Sequence, residues 1–153
     1  MFSIAASKRV KRGIGTRKMM GHRVGGVKEE EWLKNGKLHR LTGPALTSYY
    51  KGTIQYEKWS VNGVLHRLNG PAVKYYNPGG TAKDELWFMR GEVHRLNGPA
   101  ITSYYKDGKR REEVWLMRGE RHRSSGPALT FYNENGMKME EEWYLDGKLH
   151  SFA

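Results

Sequence analysis

Hydrophobic positions in this chain fall in short alternating runs rich in Trp, Tyr, Leu and Val, separated by glycine-containing turn signals. Period-two alternation of this kind predicts strands rather than helices. One class of turn lies at Asn35-Gly36, Asn62-Gly63, Arg90-Gly91, Arg118-Gly119 and Asp146-Gly147. Asn-Gly or Asp-Gly between apolar residues signals a hairpin, because a type I′ turn needs positive φ at both central residues. A second class lies at Asp107-Gly108 and Asn135-Gly136, with Asn77-Pro78-Gly79-Gly80 as a longer form. The pattern predicts an all-β antiparallel meander of about nine strands, with helix nearly absent.

The turns recur in phase with four other signals. Tryptophans stand at Trp32, Trp59, Trp87, Trp115 and Trp143, spaced by 27, 28, 28 and 28 residues. Each is followed seven residues later by a histidine: His39, His66, His94, His122 and His150. Gly-Pro-Ala recurs from Gly43, Gly70, Gly98 and Gly126, and a tyrosine follows each of those prolines at Tyr49, Tyr76, Tyr104 and Tyr132. The chain is therefore an elongated array of about four and a half copies of a 28-residue unit. The short copy lacks one residue near Lys51-Gly52-Thr53, a place where a turn absorbs the deletion.

Two-residue turns set register, and register sets faces. Around Asn35-Gly36, Lys34 is expected opposite Lys37, Leu33 opposite Leu38 and Trp32 opposite His39. Around Asp107-Gly108, Tyr104 is expected opposite Arg111 and Ala100 opposite Trp115. Each Trp then lies between a His and an Ala, and the alanine leaves room for the indole. Glu30, Glu57, Glu85, Glu113 and Glu141 share the tryptophan face. Leu33, Leu38, Leu46, Leu65, Val73, Phe88, Ile101, Leu116 and Leu129 are assigned to an aliphatic opposite face. The Gly-Pro step is expected to bend or bulge a long strand, since Pro cannot donate to the ladder.

The phrase Asn35-Gly36-Lys37-Leu38-His39-Arg40, then Gly43-Pro44-Ala45, Tyr49, a Gly turn and Glu-x-Trp, resembles the variant class of MORN repeats. It is similar to arrays in large DNA viruses of amoebae and in bacterial proteins, some of them antitoxin-like. The resemblance covers roughly residues 29–153. It implies an elongated, twisted β-sheet array used for interaction or scaffolding, with no shared catalytic residues. It also implies a virion or host cytoplasm as the setting if the protein is viral, and the cytoplasm otherwise.

Composition refines this picture. The chain has 153 residues, of which 37% are apolar, and no cysteine, so disulfides, thiolate metal sites and cysteine nucleophiles are excluded. No run approaches the roughly 20 apolar residues of a transmembrane helix. The formal net charge of +11 is concentrated: residues 1–28 carry Lys8, Arg9, Lys11, Arg12, Arg17, Lys18, Arg23 and Lys28 with no acid. The chain is thus read as a basic extended arm, residues 1–28, and a nearly balanced repeat array, residues 29–153. The arm has too few apolar residues to fold alone, and His22-Arg23 with Gly25-Gly26 resembles a degraded His-Arg step that folds over the first edge strand.

Three ladders are candidates for chemistry. Equivalent histidines stand two strands apart, roughly 9–10 Å, whereas zinc needs every ligand within about 2.3 Å. The histidines are therefore read as structural, packed on their tryptophans and bonded to a glutamate or a backbone carbonyl. Arg40, Arg67, Arg95 and Arg123 follow the histidines. With Lys8, Arg9, Lys11, Arg12, Arg17 and Lys18 they are the candidate contacts for an anionic partner. Their structural reading is cross-strand pairing with acids. The tyrosines are read as the sheet's own packing. No catalytic motif occurs and the acids are dispersed by the repeat, so no enzyme, cofactor or metal is expected. The leading expectation is a non-enzymatic structural protein that contacts other protein subunits, such as a minor component of a viral particle. The alternatives are nucleic-acid binding through the arm and the Arg ladder, or an antitoxin-like binding protein.

Overall fold

A computed structural model describes residues 16–23 and 25–150. Lys8, Arg9, Lys11 and Arg12 lie outside the described residues. The chain is built from β1 (Arg17–Arg23), β2 (Val27–Lys34), β3 (Lys37–Leu38), β4 (Leu46–Tyr50), β5 (Thr53–Lys58) and β6 (Ser60–Val61). There follow β7 (Val64–Leu65), β8 (Val73–Tyr76), β9 (Ala82–Leu86), β10 (Phe88–Met89), β11 (Glu92–Val93) and β12 (Ile101–Tyr104). The last third holds β13 (Arg110–Val114), β14 (Leu116–Met117), β15 (Glu120–Arg121), β16 (Leu129–Tyr132), β17 (Lys138–Leu145) and β18 (Lys148–His150). Among the described residues there is no helix.

The meander is finer than the nine strands expected, because each repeat divides into two parts. A long hairpin joins an open antiparallel sheet of 12 strands, ordered β1-β2-β4-β5-β8-β9-β12-β13-β16-β17-β18 with β3 on β2. A short hairpin, β6-β7, β10-β11 or β14-β15, stands beside that sheet. The short hairpins bond to one another through backbone: Gly63 N–H donates to Leu38 O at 2.7 Å, Gly91 to Leu65 at 2.9 Å, Gly119 to Val93 at 3.0 Å and Gly147 to Arg121 at 3.0 Å. The Gly-Pro segments lie in the bends that return the chain from the short hairpins to the sheet, so no long strand runs through them.

All five short-hairpin turns have positive φ at both central residues, including Arg90 and Arg118 at 52° each. This is the type I′ geometry. The long hairpins differ from expectation. Gly108 N–H donates to Tyr105 O at 3.0 Å, Tyr105 N–H donates to Lys109 O at 2.8 Å, and only Gly108 of the loop has positive φ. A three-residue loop ending in a left-handed glycine replaces the two-residue turn. Asn77–Thr81 and Asn133–Met137 repeat the pattern. A bulge beside each loop shifts register, so Tyr104 opposes Arg110 instead of Arg111. The short copy closes with a two-residue turn, Lys51 at 47° and Gly52 at 83°, which accounts for its missing residue.

The most deeply buried positions are small residues, with Leu46, Val73, Val114 and Leu129 buried beside them. Ala45, Ala72, Ala100 and Ala128 are 0% exposed, and Ser60 is the bulkiest side chain under 2% exposure among the described residues. Along one face the alanines alternate with tryptophans: Trp32 N–H donates to Ala45 O, Trp59 to Ala72, Trp87 to Ala100 and Trp115 to Ala128, each at 2.7 Å. In the next row buried Thr47, Thr102 and Thr130 stand between glutamates of neighbouring strands. A large side chain on each side covers a small one between, so burial is achieved within the sheet. The opposite face is not wholly aliphatic. Leu46, Lys58, Val73, Leu86, Ile101, Val114 and Leu129 form one row. Ser48, Tyr56, Tyr75, Asp84, Ser103, Glu112 and Phe131 form the other.

The described part of the basic arm is a strand of the sheet. β1 pairs with β2 from Arg17–Leu33 to Arg23–Val27, so the array starts before residue 29. Charge explains the pairing: β2 carries Glu29-Glu30-Glu31, and Lys18 Nζ lies 3.1 Å from Glu30 Oε2. Lys18, and then Lys28, hold the Glu30 carboxyl below its ordinary pKa against the opposing effect of burial.

Candidate interaction surface

The arginine ladder closes each repeat. The guanidinium carbon of Arg40 lies 4.2 Å from the Trp32 ring centre, Arg67 3.8 Å from Trp59, Arg95 3.9 Å from Trp87, and Arg123 3.9 Å from Trp115. Each Nη1 also donates to the proline carbonyl of its own bend, at 3.3 Å to Pro44, 3.2 Å to Pro71, 3.2 Å to Pro99 and 3.1 Å to Pro127. A Cβ on Gly43, Gly70 or Gly98 would come within 2.5–2.6 Å of the same guanidinium carbon. The motif His-Arg-x-x-Gly-Pro-Ala is therefore one device. The glycine admits the arginine, the proline carbonyl anchors it, and the tryptophan receives its flat face. Burial lowers the pKa of Arg95, opposed by the Glu85 carboxylate. The sequence reading placed these arginines against acids or anions. Their partners here are an aromatic ring and a carbonyl.

The histidines link successive repeats. Nδ1 of His39 accepts the backbone N–H of Asn62 at 3.1 Å, His66 that of Arg90 at 3.3 Å, His94 that of Arg118 at 3.2 Å and His122 that of Asp146 at 3.2 Å. Each ring thus bonds the next type I′ turn, through a backbone N–H instead of a glutamate or a backbone carbonyl; His39 Nδ1 also lies 2.9 Å from Asn62 Oδ1 and His122 Nδ1 2.9 Å from the Asp146 carboxylate. His150 pairs across β17-β18 with Trp143. No group of three metal-ligating side chains gathers among the described residues.

The tyrosines join the glutamates of the tryptophan face. Tyr76 Oη donates to Glu57 at 2.7 Å, Tyr104 to Glu85 at 3.0 Å and Tyr132 to Glu113 at 2.7 Å. Burial, with the neighbouring carboxylate adding to it, pushes the Tyr104 and Tyr132 hydroxyls up to about 12, and Tyr76 also well above its ordinary value. These phenols are donors held neutral by their surroundings.

Among the exposed large apolar residues, which include Met137, Met139 and Leu149 near the end of the array, one set recurs as a stripe along the short hairpins. Leu41, Leu68 and Leu96, each next after its arginine, are 71%, 69% and 65% exposed. They border grooves between successive hairpins. One is lined by Leu41, Trp59, Val61 and Leu68 with Arg40, Arg67, His66 and Asn69, the next by Val61, Val64, Leu68 and Met89 with Asn62, His66 and Arg90, and the third by Met89, Leu96 and Met117 with Arg90, Glu92, His94 and Arg118. Sequence reasoning placed the exposed apolar surface on the sheet faces and missed this stripe. Its signal was the Leu that recurs after His-Arg with no partner in the pattern. The fourth copy has Ser124 at this place, so the fold does not require the leucine.

The fold and the ladders define an open antiparallel β-repeat array whose recurring Trp, His, Arg and Tyr residues are consumed in holding the repeats together. No protein-family model matches the chain, and no curated protein matches it. Among the described residues no helix is long and apolar enough to cross a membrane.

Proposed function

We infer that this chain is a non-enzymatic structural repeat protein that docks other protein subunits along its row of short hairpins. The setting to which its resemblance to MORN-type arrays points is a minor component of a viral particle. The observation that carries this reading is the leucine stripe: three large apolar side chains, repeated at one repeat's pitch, largely exposed and bordering grooves. Exposed apolar patches in register with polar surroundings mark protein contact surfaces. The nucleic-acid reading is less well supported, because Arg40, Arg67, Arg95 and Arg123 already engage tryptophan faces and carbonyls. The test is the triple variant Leu41→Ser, Leu68→Ser, Leu96→Ser, compared with the parent in copurification from the native source at low and high salt. A protein partner that persists at high salt and is lost in the variant supports the reading. Retention of nucleic acid alone, falling steeply with salt, would replace it with the nucleic-acid alternative.

A further inference from the structure

The two ends of the sheet are complementary. β17 repeats the role of β2: Glu140-Glu141-Glu142-Trp143 corresponds to Glu29-Glu30-Glu31-Trp32. β2 is paired on both sides, by β1 and by β4. β17 pairs β16 over Lys138–Glu142 and β18 over Trp143–Leu145, and among the described residues nothing occupies the side of Glu140–Glu142 on which β2 binds β4. At the other end, β1 stands towards β2 as β16 stands towards β17, with Lys18 opposite Trp32 and Met20 opposite Glu30. The outer edge of β1, unpaired among the described residues, is thus the edge that β16 offers to β13.

We propose that a second copy of this chain adds head to tail, β1 of one copy pairing antiparallel with β17 of the next, so that the repeat continues across the junction. The β13–β16 register fixes the pairing: Gly21 opposite Glu140, Met20 opposite Glu141, Met19 opposite Glu142 and Lys18 opposite Trp143. Charge favours it along the diagonals, where Lys18 comes beside Glu141 and Arg17 beside Glu142. β17 carries three successive acids, whereas β5, β9 and β13 carry at most two, and β1 brings Arg17 and Lys18 and no acid; within one copy Glu141 and Glu142 lie beside Lys138 and Arg121, and Lys18 beside Glu30. The short hairpins agree. His122 accepts the Asp146 N–H and Gly147 donates to Arg121. One repeat further on, His150 would accept the N–H of Asn35 of the added copy, and Gly36 of that copy would donate to Leu149. A contact that uses different surfaces on its two sides and does not close generates a linear filament, and an open strand edge is the natural place for it. This assembly rests on the structural-protein reading but uses the sheet edges, not the leucine stripe.

The experiment is sedimentation of the full chain across protein concentration and salt. Expected is a mass that grows with concentration in steps of one 17.7-kDa chain and falls with salt. Two charge-reversed variants, Glu140→Lys/Glu141→Lys and Arg17→Glu/Lys18→Glu, should each self-associate at least ~10-fold more weakly. Mixing them should restore association, since each then offers the other an edge of opposite charge. Circular dichroism confirms that each retains its strands; if the β1 variant loses them, the β17 variant mixed with the parent must still show association blocked at one end only. A chain that stays monomeric at all concentrations, or association that is indifferent to both reversals, overturns the proposal. The leucine triple variant should assemble like the parent. If it alone loses assembly, copies meet through the hairpin row and the edge pairing is wrong. If edges assemble but no partner docks on the stripe, the edge pairing stands and the proposed function fails.

Discussion

Gly98→Ala isolates the arginine device. The backbone at Gly98 is not in the left-handed region, so alanine brings no conformational strain there, only a Cβ 2.5 Å from Cζ of Arg95. The cheapest escape is for the guanidinium to leave. It then gives up its place 3.9 Å from the Trp87 ring centre and its 3.2 Å bond to Pro99 O. A cation–π contact of this kind contributes about 0.5–2 kcal/mol, and a hydrogen bond from a charged donor about 1.5–3 kcal/mol. Because Arg95 is half-buried and partly solvated, the lower halves apply, and about 2 kcal/mol is expected. That corresponds to roughly 4–8 °C in Tm for a chain of this size. Arg95→Met should cost about the same, since it removes the same two contacts. The double variant should cost little more than either single, because the alanine then meets no guanidinium, giving a coupling of about 2 kcal/mol in the cycle. Urea unfolding followed by tryptophan fluorescence measures all four proteins. If Gly98→Ala costs as much in the Arg95→Met background as in the parent, glycine is not there to admit the arginine.

The other expectations concern turns, rings and phenols. Arg90→Asn and Arg118→Asn should each stabilise by about 0.5–1 kcal/mol, because Asn accepts the left-handed φ that Arg resists, and unchanged urea midpoints would contradict the type I′ assignment. His39→Leu should destabilise by about 1–2 kcal/mol, since it orphans the Asn62 N–H beside a buried ring. The loss should be the same with and without a chelator, and a chelator-sensitive parent would instead establish a metal role. Tyr104 and Tyr132 are raised, so the folded state favours the neutral phenols. Their stabilising contribution is complete below the ordinary value of ~10 and is lost as pH rises through about 12. Tyrosinate absorbance should show a late phase that shrinks in Tyr104→Phe/Tyr132→Phe to the share of Tyr76, and a titration finished near pH ~10 would refute the Tyr–Glu bonds.

The sequence by itself determined the repeat, its phase, the strand class, the five type I′ turns and the placing of Trp59, Trp87, Trp115 and Trp143 between a His and an Ala, while Trp32 has Lys18 on its outer side. These follow from neighbours along the chain: alternation is written in successive residues, and positive φ demands particular residue types at the turn. It also located the shortened copy, since one missing residue must fall where a loop can lose it. Tertiary structure decided the rest. The bulge that moves Tyr104 onto Arg110 depends on how a three-residue loop meets a twisted ladder, and Asp107-Gly108 alone does not distinguish it from a two-residue turn. The division into sheet and hairpin row arises because His39-Arg40 and Gly43-Pro44 form a bend, not a strand, once Arg40 turns back on Trp32 and Pro44. That contact is made through space in an irregular segment, where no periodicity predicts it. Residues 17–23 form a regular strand, in place of the degraded His-Arg step read from His22-Arg23, and the acids on β2 show why a basic segment pairs there. The leucines after His-Arg were visible as a recurrence, but their exposure is a property of the folded surface, which alone shows that the repeat does not use them.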